Sequence, residues 1–518
     1  MFDIVFKKAR VLDGTGAPWF IADVAVKDGA IVKIGSIDGE AKNVVDAGGK
    51  YLSPGFIDAH SHSDLSLIVN PTADSKIMQG VTTEVIGQCG SSGAPRGLGL
   101  TEDAQEDDDE NVDTHQWTDM ASYIKILEDQ GISVNVAPLV GHGTVRRQVM
   151  GVENRAPDER ELKLMKKLVD DAMEQGAFGM SSGLIYVPGR YSKTDEVIEL
   201  AKIVAKHRGY YFTHLRSEGV RLLEALQEAI DIGFAAGIPV QVSHFKVMGE
   251  ANWGMVEHSI AMVEKARDAG LDITADQYPY IASSTGLGSP VPVSAWRGGK
   301  GSELLTDPVE REKILDALRA RANWDKIVIA SLDNPDDHKF IGKSIEETGK
   351  MQGITSEEAA FGLLQRNGGV VSIVNFAMSE DDVRMVMRQP WVMAGSDGRA
   401  YNVKTAKGQP HPRSYGTFVR ILGRYVREHN LLRLEEAIRK MTSLPAWRLG
   451  LQDRGLLREG MRADVVLFDA GTVIDNATFT APHQYPTGIE WVLVNGVPVV
   501  KEGEHTGARP GVVLRHKN

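Results

Sequence analysis

The sequence has a single cysteine, Cys89, in 518 residues. An intramolecular disulfide is therefore excluded, and the expected compartment is a reducing one, the cytoplasm. No stretch approaches the 18 continuous apolar residues that read as a membrane span. The opening "MFDIVFKKARVLDG" lacks the basic-then-apolar pattern of a secretory signal, so no membrane partner is expected. Positive charge is in deficit: 58 Lys and Arg against 70 Asp and Glu give a formal charge of −12. With no basic stripe to offset that, nucleic acid is excluded as the expected partner. There is no internal repeat and no low-complexity tract. None of these features bears on the oligomeric state.

What is present is ordinary in bulk and distinctive in pattern. Apolar content of 42% and charged content of 25% suit a soluble globular protein, and the length fits one barrel-sized domain plus a smaller one. From residue 54 to about 400, eight apolar runs alternate with helical patterns: "PGFIDAHSH", "VTTEVIGQCG", "ISVNVAPLVGHG", "GAFGMSSGLIY", "GYYFTHLRSEG", "IPVQVSHFK", "LDITADQYPY" and "WVMAGSDG". Leu162, Met165, Leu168, Val169 and Ala172 recur at helical spacing, and "DEVIELAKIVAKHRG" predicts a second helix with Gly209 as its C-cap. This order predicts an α/β fold, a (β/α)₈ TIM-like barrel over 54–452. Residues 1–53 and 453–518 read as short strands with Gly and Asn turns, hence one small β-domain built from both termini. The acidic run 101–113 reads as a solvated loop. The stretch from about 283 to 390 is too long for one crossover; a lid over the barrel mouth and a structural insertion are both open for it.

Each run starts apolar and ends polar, and the strand ends of such a barrel meet at one face. Among those ends are His60 and His62, two residues apart on one side of a strand, Cys89, His142, His214, His244 and Asp397. Imidazole and thiolate are favoured zinc ligands. Alone, Cys89 reads as a small buried hydrophobe and Asp397 as a helix cap; six such groups at one barrel end, His142 aside, read as a metal site.

H-x-H after strand one, single histidines after strands five and six, and an aspartate after strand eight resemble the amidohydrolase superfamily, as does the terminal "GLLREGMRADVVLFD". Within it, "GQCG", "SSGLIYVPGRYS", "THLRSEG", "SHFKVMG", "DQYPY", "GSDG" and "HPRSYGTF" are similar to the N-acyl-D-amino-acid deacylase (D-aminoacylase) family over nearly the whole chain. That resemblance implies a metal-dependent amidohydrolase acting on linear N-acyl-D-amino acids. It implies one tightly bound zinc on Cys89, His214 and His244, a second, weaker position at His60 and His62 bridged by Cys89, and Asp397 as the catalytic carboxylate. Many amidohydrolases bridge two metals with a carboxylated lysine after strand four; here that strand reads "FGMSSGLIY", without one.

By the same resemblance Lys246, Tyr278, Ser284 and Arg413 grip the substrate's α-carboxylate, with His142 in support behind the site. "PVPVSAW" leans toward neutral or hydrophobic substrate side chains, while Arg297 beside Trp296 keeps an acidic one open. Two competing readings are a cyclic-amide hydrolase of the dihydroorotase or hydantoinase kind and a non-catalytic assembly protein. The missing strand-four lysine counts against the first, and retention of the ligand set against the second.

Overall fold

Apolar and polar residues alternate near the N-terminus, as they must where a strand has one face in a core and one in water. In the computed structural model, which describes residues 1–97, 112, 114–288, 308–319, 321 and 323–516, this segment forms β1 (Phe2–Val11), β2 (Phe20–Lys27), β3 (Ala30–Gly35), β4 (Ala41–Asp46) and β5 (Tyr51–Pro54). The next strands, β6 (Phe56–Asp58), β7 (Val81–Ile86), β8 (Asn135–Pro138), β9 (Val140–Gly141), β10 (Gly179–Gly183), β11 (Tyr210–His214), β12 (Val240–Val242) and β13 (Ile273–Gln277), belong to the barrel. The chain then departs into an antiparallel sheet of β14 (Ser283–Gly286), β15 (Ile327–Leu332) and β16 (Val371–Asn375), and returns in β17 (Val392–Ala394).

β8 and β9 act as one barrel strand interrupted at Leu139, whose N–H still donates to Ile86 O at 3.0 Å. The neighbours pair in parallel from β6 to β7 to β8 and from β9 through β10, β11, β12 and β13 to β17. Closure comes from Ala59 N–H to Ala394 O (3.2 Å) and a parallel bridge between Ser61 and Gly398. The expected eight-stranded barrel is present. Side chains two apart point the same way. Ile57, Val85, Ala137, Leu139 and Phe212 therefore fill one inner layer, joined by Phe178 from just before β10 and by Ala446 and Leu449. Phe56, Ile86, Met180 and Tyr211 face outward under the helices.

The helix Glu159–Glu174 buries Met165, Val169 and Ala172, with Leu162 and Leu168 packed at the edge of the core. The next, Thr194–Lys206, ends otherwise than predicted. Arg208, not Gly209, takes the left-handed turn, at φ +56°. Gly209 is needed for space instead: a Cβ there would lie 2.6 Å from Met173 Cε and 2.8 Å from Val204 Cγ1.

β18 (Val465–Phe468), β19 (Ile489–Val494), β20 (Val497–Lys501) and β21 (Glu504–His505) continue the N-terminal sheet, joined by antiparallel β5–β18 pairing. Both termini thus build one β-layer. The insertion carries its own core of Leu287, Ile314, Trp324, Ile329, Phe361 and Ile373. The helix Glu380–Met387, though within the 283–390 span, is the barrel's own crossover before β17 and packs beside Met255–Asp268. All but Val112 of the acidic run, and the "PVPVSAW" stretch with Trp296 and Arg297, lie outside the described residues.

Candidate metal centre

Three residues that end barrel strands hold backbone conformations L-residues rarely adopt: Cys89 at φ +54°, His244 at +34° and Asp397 at +50°. Each costs on the order of 1–3 kcal/mol and persists only where the surroundings over-determine it. The motif glycines supply part of that constraint. In "GQCG", a Cβ on Gly90 would lie 2.6 Å from Gly183 N; in "GSDG", one on Gly395 would lie 2.7 Å from His60 Cβ. These close approaches press the Cys89 and Asp397 turns against their neighbours.

The result is a tight cluster. Cys89 Sγ lies 3.4 Å from His60 Nε2 and 3.5 Å from His244 Nε2. Asp397 Oδ1 lies 2.9 Å from His62 Nε2 and 3.4 Å from His60 Nε2. His60, Cys89, His244 and Asp397 place ligand atoms within 4.8 Å of one another, and so do His214, Glu218 and His244. All six residues expected to carry the chemistry therefore converge on the barrel mouth.

Two carboxylates behind the cluster aim the rings. Asp276 Oδ1 faces His60 Nδ1 at 3.1 Å, and Glu218 Oε1 faces His244 Nδ1 at 2.9 Å. Each ring thereby turns its Nε2 toward Cys89, the arrangement by which carboxylates orient metal-ligating histidines. Neither carboxylate was singled out in the sequence, though Glu218 follows His214 by four residues in "THLRSEG" and Asp276 lies in the run "LDITADQYPY".

Burial alone would push the Cys89 thiol up, but the charges of His60 and His244 bring it well below its ordinary value. Burial likewise opposes ionisation of Asp397, and Arg413, His244 and His60 outweigh it, holding the carboxyl well below the usual range. His244, penalised by burial and by Lys246, is still lifted to about 9 by Glu218, Cys89 and Asp397. A field that lifts a buried imidazole this far is one that draws a cation. His214 is the exception: burial lowers it, and among the described residues neither of its buried ring nitrogens has a hydrogen-bond partner.

The predicted substrate-binding residues lie beside the cluster. Arg413 Nη1 is 2.6 Å from Asp397 Oδ2, and its guanidinium carbon is 4.8 Å from the Tyr278 ring centre. Tyr278 Oη is buried and has no hydrogen-bond partner among the described residues. Lys246 is already engaged, 2.5 Å from Glu218 Oε1 and 2.8 Å from His244 Nδ1. Ser284, on β14, accepts from Arg413 Nη2 through its carbonyl at 3.5 Å. His142 stands apart from the candidate ligand atoms; its Nε2 faces Glu196 Oε1 at 2.9 Å, and Arg146 holds the other oxygen at 2.7 Å. A cavity of about 1950 Å³ opens over all this, lined by His62, Cys89, His214 and Asp397 from the barrel and by Ser283, Ser284 and Asn375 from the insertion.

The sequence profile described as "Amidohydrolase family" matches residues 43–298 and 302–500. The chain is 38% identical to an N-acyl-D-glutamate deacylase of Alcaligenes xylosoxydans xylosoxydans over 99% of this chain and 96% of that one. It is 36% identical to a D-aminoacylase of the same organism, covering 99% and 97%. Among solved structures it is similar to an N-acyl-D-glutamate deacylase of Bordetella bronchiseptica complexed with zinc and a phosphonate mimic of the tetrahedral intermediate. That match has a TM-score of 0.85 at 35% identity and covers 99% of both chains.

Proposed function

We propose that this chain, which belongs to the amidohydrolase family, uses zinc to hydrolyse the amide bond of N-acyl-D-amino acids to a D-amino acid and a carboxylate. The observation that carries this reading is the convergence of Cys89, His214, His244, His60, His62 and Asp397 at one barrel mouth, in a chain akin to D-amino-acid deacylases over its whole length. Neither competing reading has such support.

The residues fit a zinc ion. His214 has two buried ring nitrogens without hydrogen-bond partners among the described residues, and His60 and His244 point Nε2 at a thiol favoured as thiolate. Such a donor set suits zinc. Cys89, His214 and His244 would hold the tight ion, with His60 and His62 as a second, weaker position. Bound there, zinc supplies a Lewis acid for the amide carbonyl and acidifies water toward a pKa of about 7.

The protein's own groups do the rest. Asp397, kept ionised by Arg413, accepts the proton of the attacking water and delivers it to the amide nitrogen, which leaves only once protonated. Arg413 and Tyr278 take the substrate's α-carboxylate, the guanidinium by paired hydrogen bonds and the phenol through its free hydroxyl. Lys246 adds positive charge to the same corner. With carboxylate and scissile carbonyl both fixed, inverting the α-carbon drives the side chain into the opposite wall, and stereoselectivity follows.

The test is a panel of N-acetyl-D- and L-amino acids with methionine, leucine, glutamate and aspartate side chains. Turnover is expected on at least one D-form, with the matching L-form slower by about tenfold or more, a discrimination of roughly 1.4 kcal/mol. Equal rates on the two hands, or no turnover by zinc-loaded protein, would overturn the reading.

A further inference from the structure

The turn "DAHSHSD" and the turn "GSDG" come from opposite ends of the barrel sequence, yet His62 and Asp397 meet at 2.9 Å. Something must hold these two turns in register. Lys76 lies behind them. It is fully buried, on the short helix Asp74–Ile77, and belongs to none of the motifs discussed above.

Its ammonium reaches three segments, the H-x-H turn, β7 and the Asp397 turn. It donates to Asp58 Oδ2 at 2.7 Å and lies 3.3 Å from Glu84 Oε2 on β7. It donates to Ser61 Oγ at 3.3 Å, and Ser61 is the residue between His60 and His62. It donates to Ser396 Oγ at 2.7 Å and to Gly398 O at 3.1 Å, and these two residues bracket Asp397. The anions it joins extend the same brace. Asp58 Oδ1 accepts from His60 N–H (3.2 Å) and Ser396 N–H (2.8 Å), and Glu84 Oε2 accepts from the hydroxyls of Ser61 and Ser63. The helix itself is tied to the strand-eight loop by Ser75 N–H to Tyr401 O at 2.9 Å.

We infer that Lys76 is a positioning residue for the reaction, a cationic tie that fixes the H-x-H turn against the Asp397 turn and so sets the distance between ligand histidines and base. Two physical points support it. A buried ion-pair network is a poor source of stability, since a well-packed apolar replacement is often as stable or more so; holding geometry accounts for it better. Asp397 at φ +50° needs restraint from both sides, and Lys76 holds the residue before it and the residue after it.

The inference rests on the deacylase reading only for its assay. The test compares wild type with Lys76→Met, with the charge-balanced Lys76→Met/Glu84→Gln, and with Ser396→Ala, which removes the hydroxyl that joins Lys76, Asp58 Oδ2 and Gly398 N–H but removes no charge. Each is measured as folded, zinc-loaded, full-length protein. Expected are zinc content near wild type, KM within about twofold and kcat lower by roughly tenfold to a hundredfold, the scale of a misplaced reacting group. The cobalt-substituted proteins should show altered visible absorption bands. If the Lys76 variants do not fold, Ser396→Ala alone decides by the same readouts. Folded variants with kcat within twofold of wild type and an unchanged cobalt spectrum would overturn the inference. Should wild type hydrolyse no N-acyl-D-amino acid, the deacylase reading falls, and the cobalt spectrum still decides for Lys76.

Discussion

Cys89 stands at the centre of the site: its sulfur faces His60 and His244, its backbone is strained, and its loop is pressed onto β10. Replacing it with alanine removes the only thiolate and leaves imidazoles to hold the ion. Cys89→Ala is therefore expected to lose zinc, measured as metal per chain after dialysis, and activity with it; a fully active, zinc-free variant would contradict the assignment. Asp397 is a different kind of residue, because the task proposed for it is to move a proton. Asp397→Asn preserves shape but cannot take one. Zinc content near wild type with kcat lower by a factor of about 10² or more is expected, and normal turnover would reduce Asp397 to a structural cap.

At the scale of elements, the helices His142–Met150 and Thr194–Lys206 are joined by one buried carboxylate. Glu196 receives His142 and Arg146, and although burial pushes its pKa up, those two partners hold it below its ordinary value. A carboxyl lowered in the folded state stabilises the fold above its unfolded pKa, about 4.3, and that contribution is lost as pH falls through the folded value. Glu196→Gln leaves Arg146 buried without its anion and should reduce resistance to urea at pH 7 by about 3–5 kcal/mol. The gap between wild type and variant should narrow below about pH 4. A gap constant from pH 7 to 3 would show that Glu196 acts by shape alone.

On the scale of the whole molecule, the barrel carries the candidate metal ligands while the insertion brings Ser283, Ser284 and Asn375 to the cavity wall and folds around a core of its own. Damage to that core should therefore separate binding from chemistry. Ile329 is fully buried in it, and Ile329→Ala is expected to cost about 2–5 kcal/mol locally. The variant should show faster proteolysis within 308–375 and a raised KM, with zinc content unchanged. Loss of zinc would instead mean that the barrel and the insertion are not energetically separate.

Much of this was legible in the letters because barrel topology is periodic and its chemistry local. Eight apolar runs ending in polar residues predict eight strands whose ends converge, and H-x-H, Cys89, His214, His244 and Asp397 each sit at such an end. Gly209 misled because a glycine after a helix signals a cap, whereas its role here is steric. Glu218, Asp276 and above all Lys76 could not be ranked from sequence: a charged residue in a helix or loop is ordinarily solvated, and nothing local shows that its ammonium will be buried among Asp58, Glu84 and Ser396. The sequence by itself determined the order of strands and which side chains can bind metal or move protons, since both depend on residue type and short-range spacing. Only the tertiary structure decided which carboxylate orients which ring, which cation ties the two turns together and which wall the insertion supplies. Those relations cross between different strands and loops, some of them hundreds of positions apart, as His62 and Asp397 are, and exist only once the barrel closes.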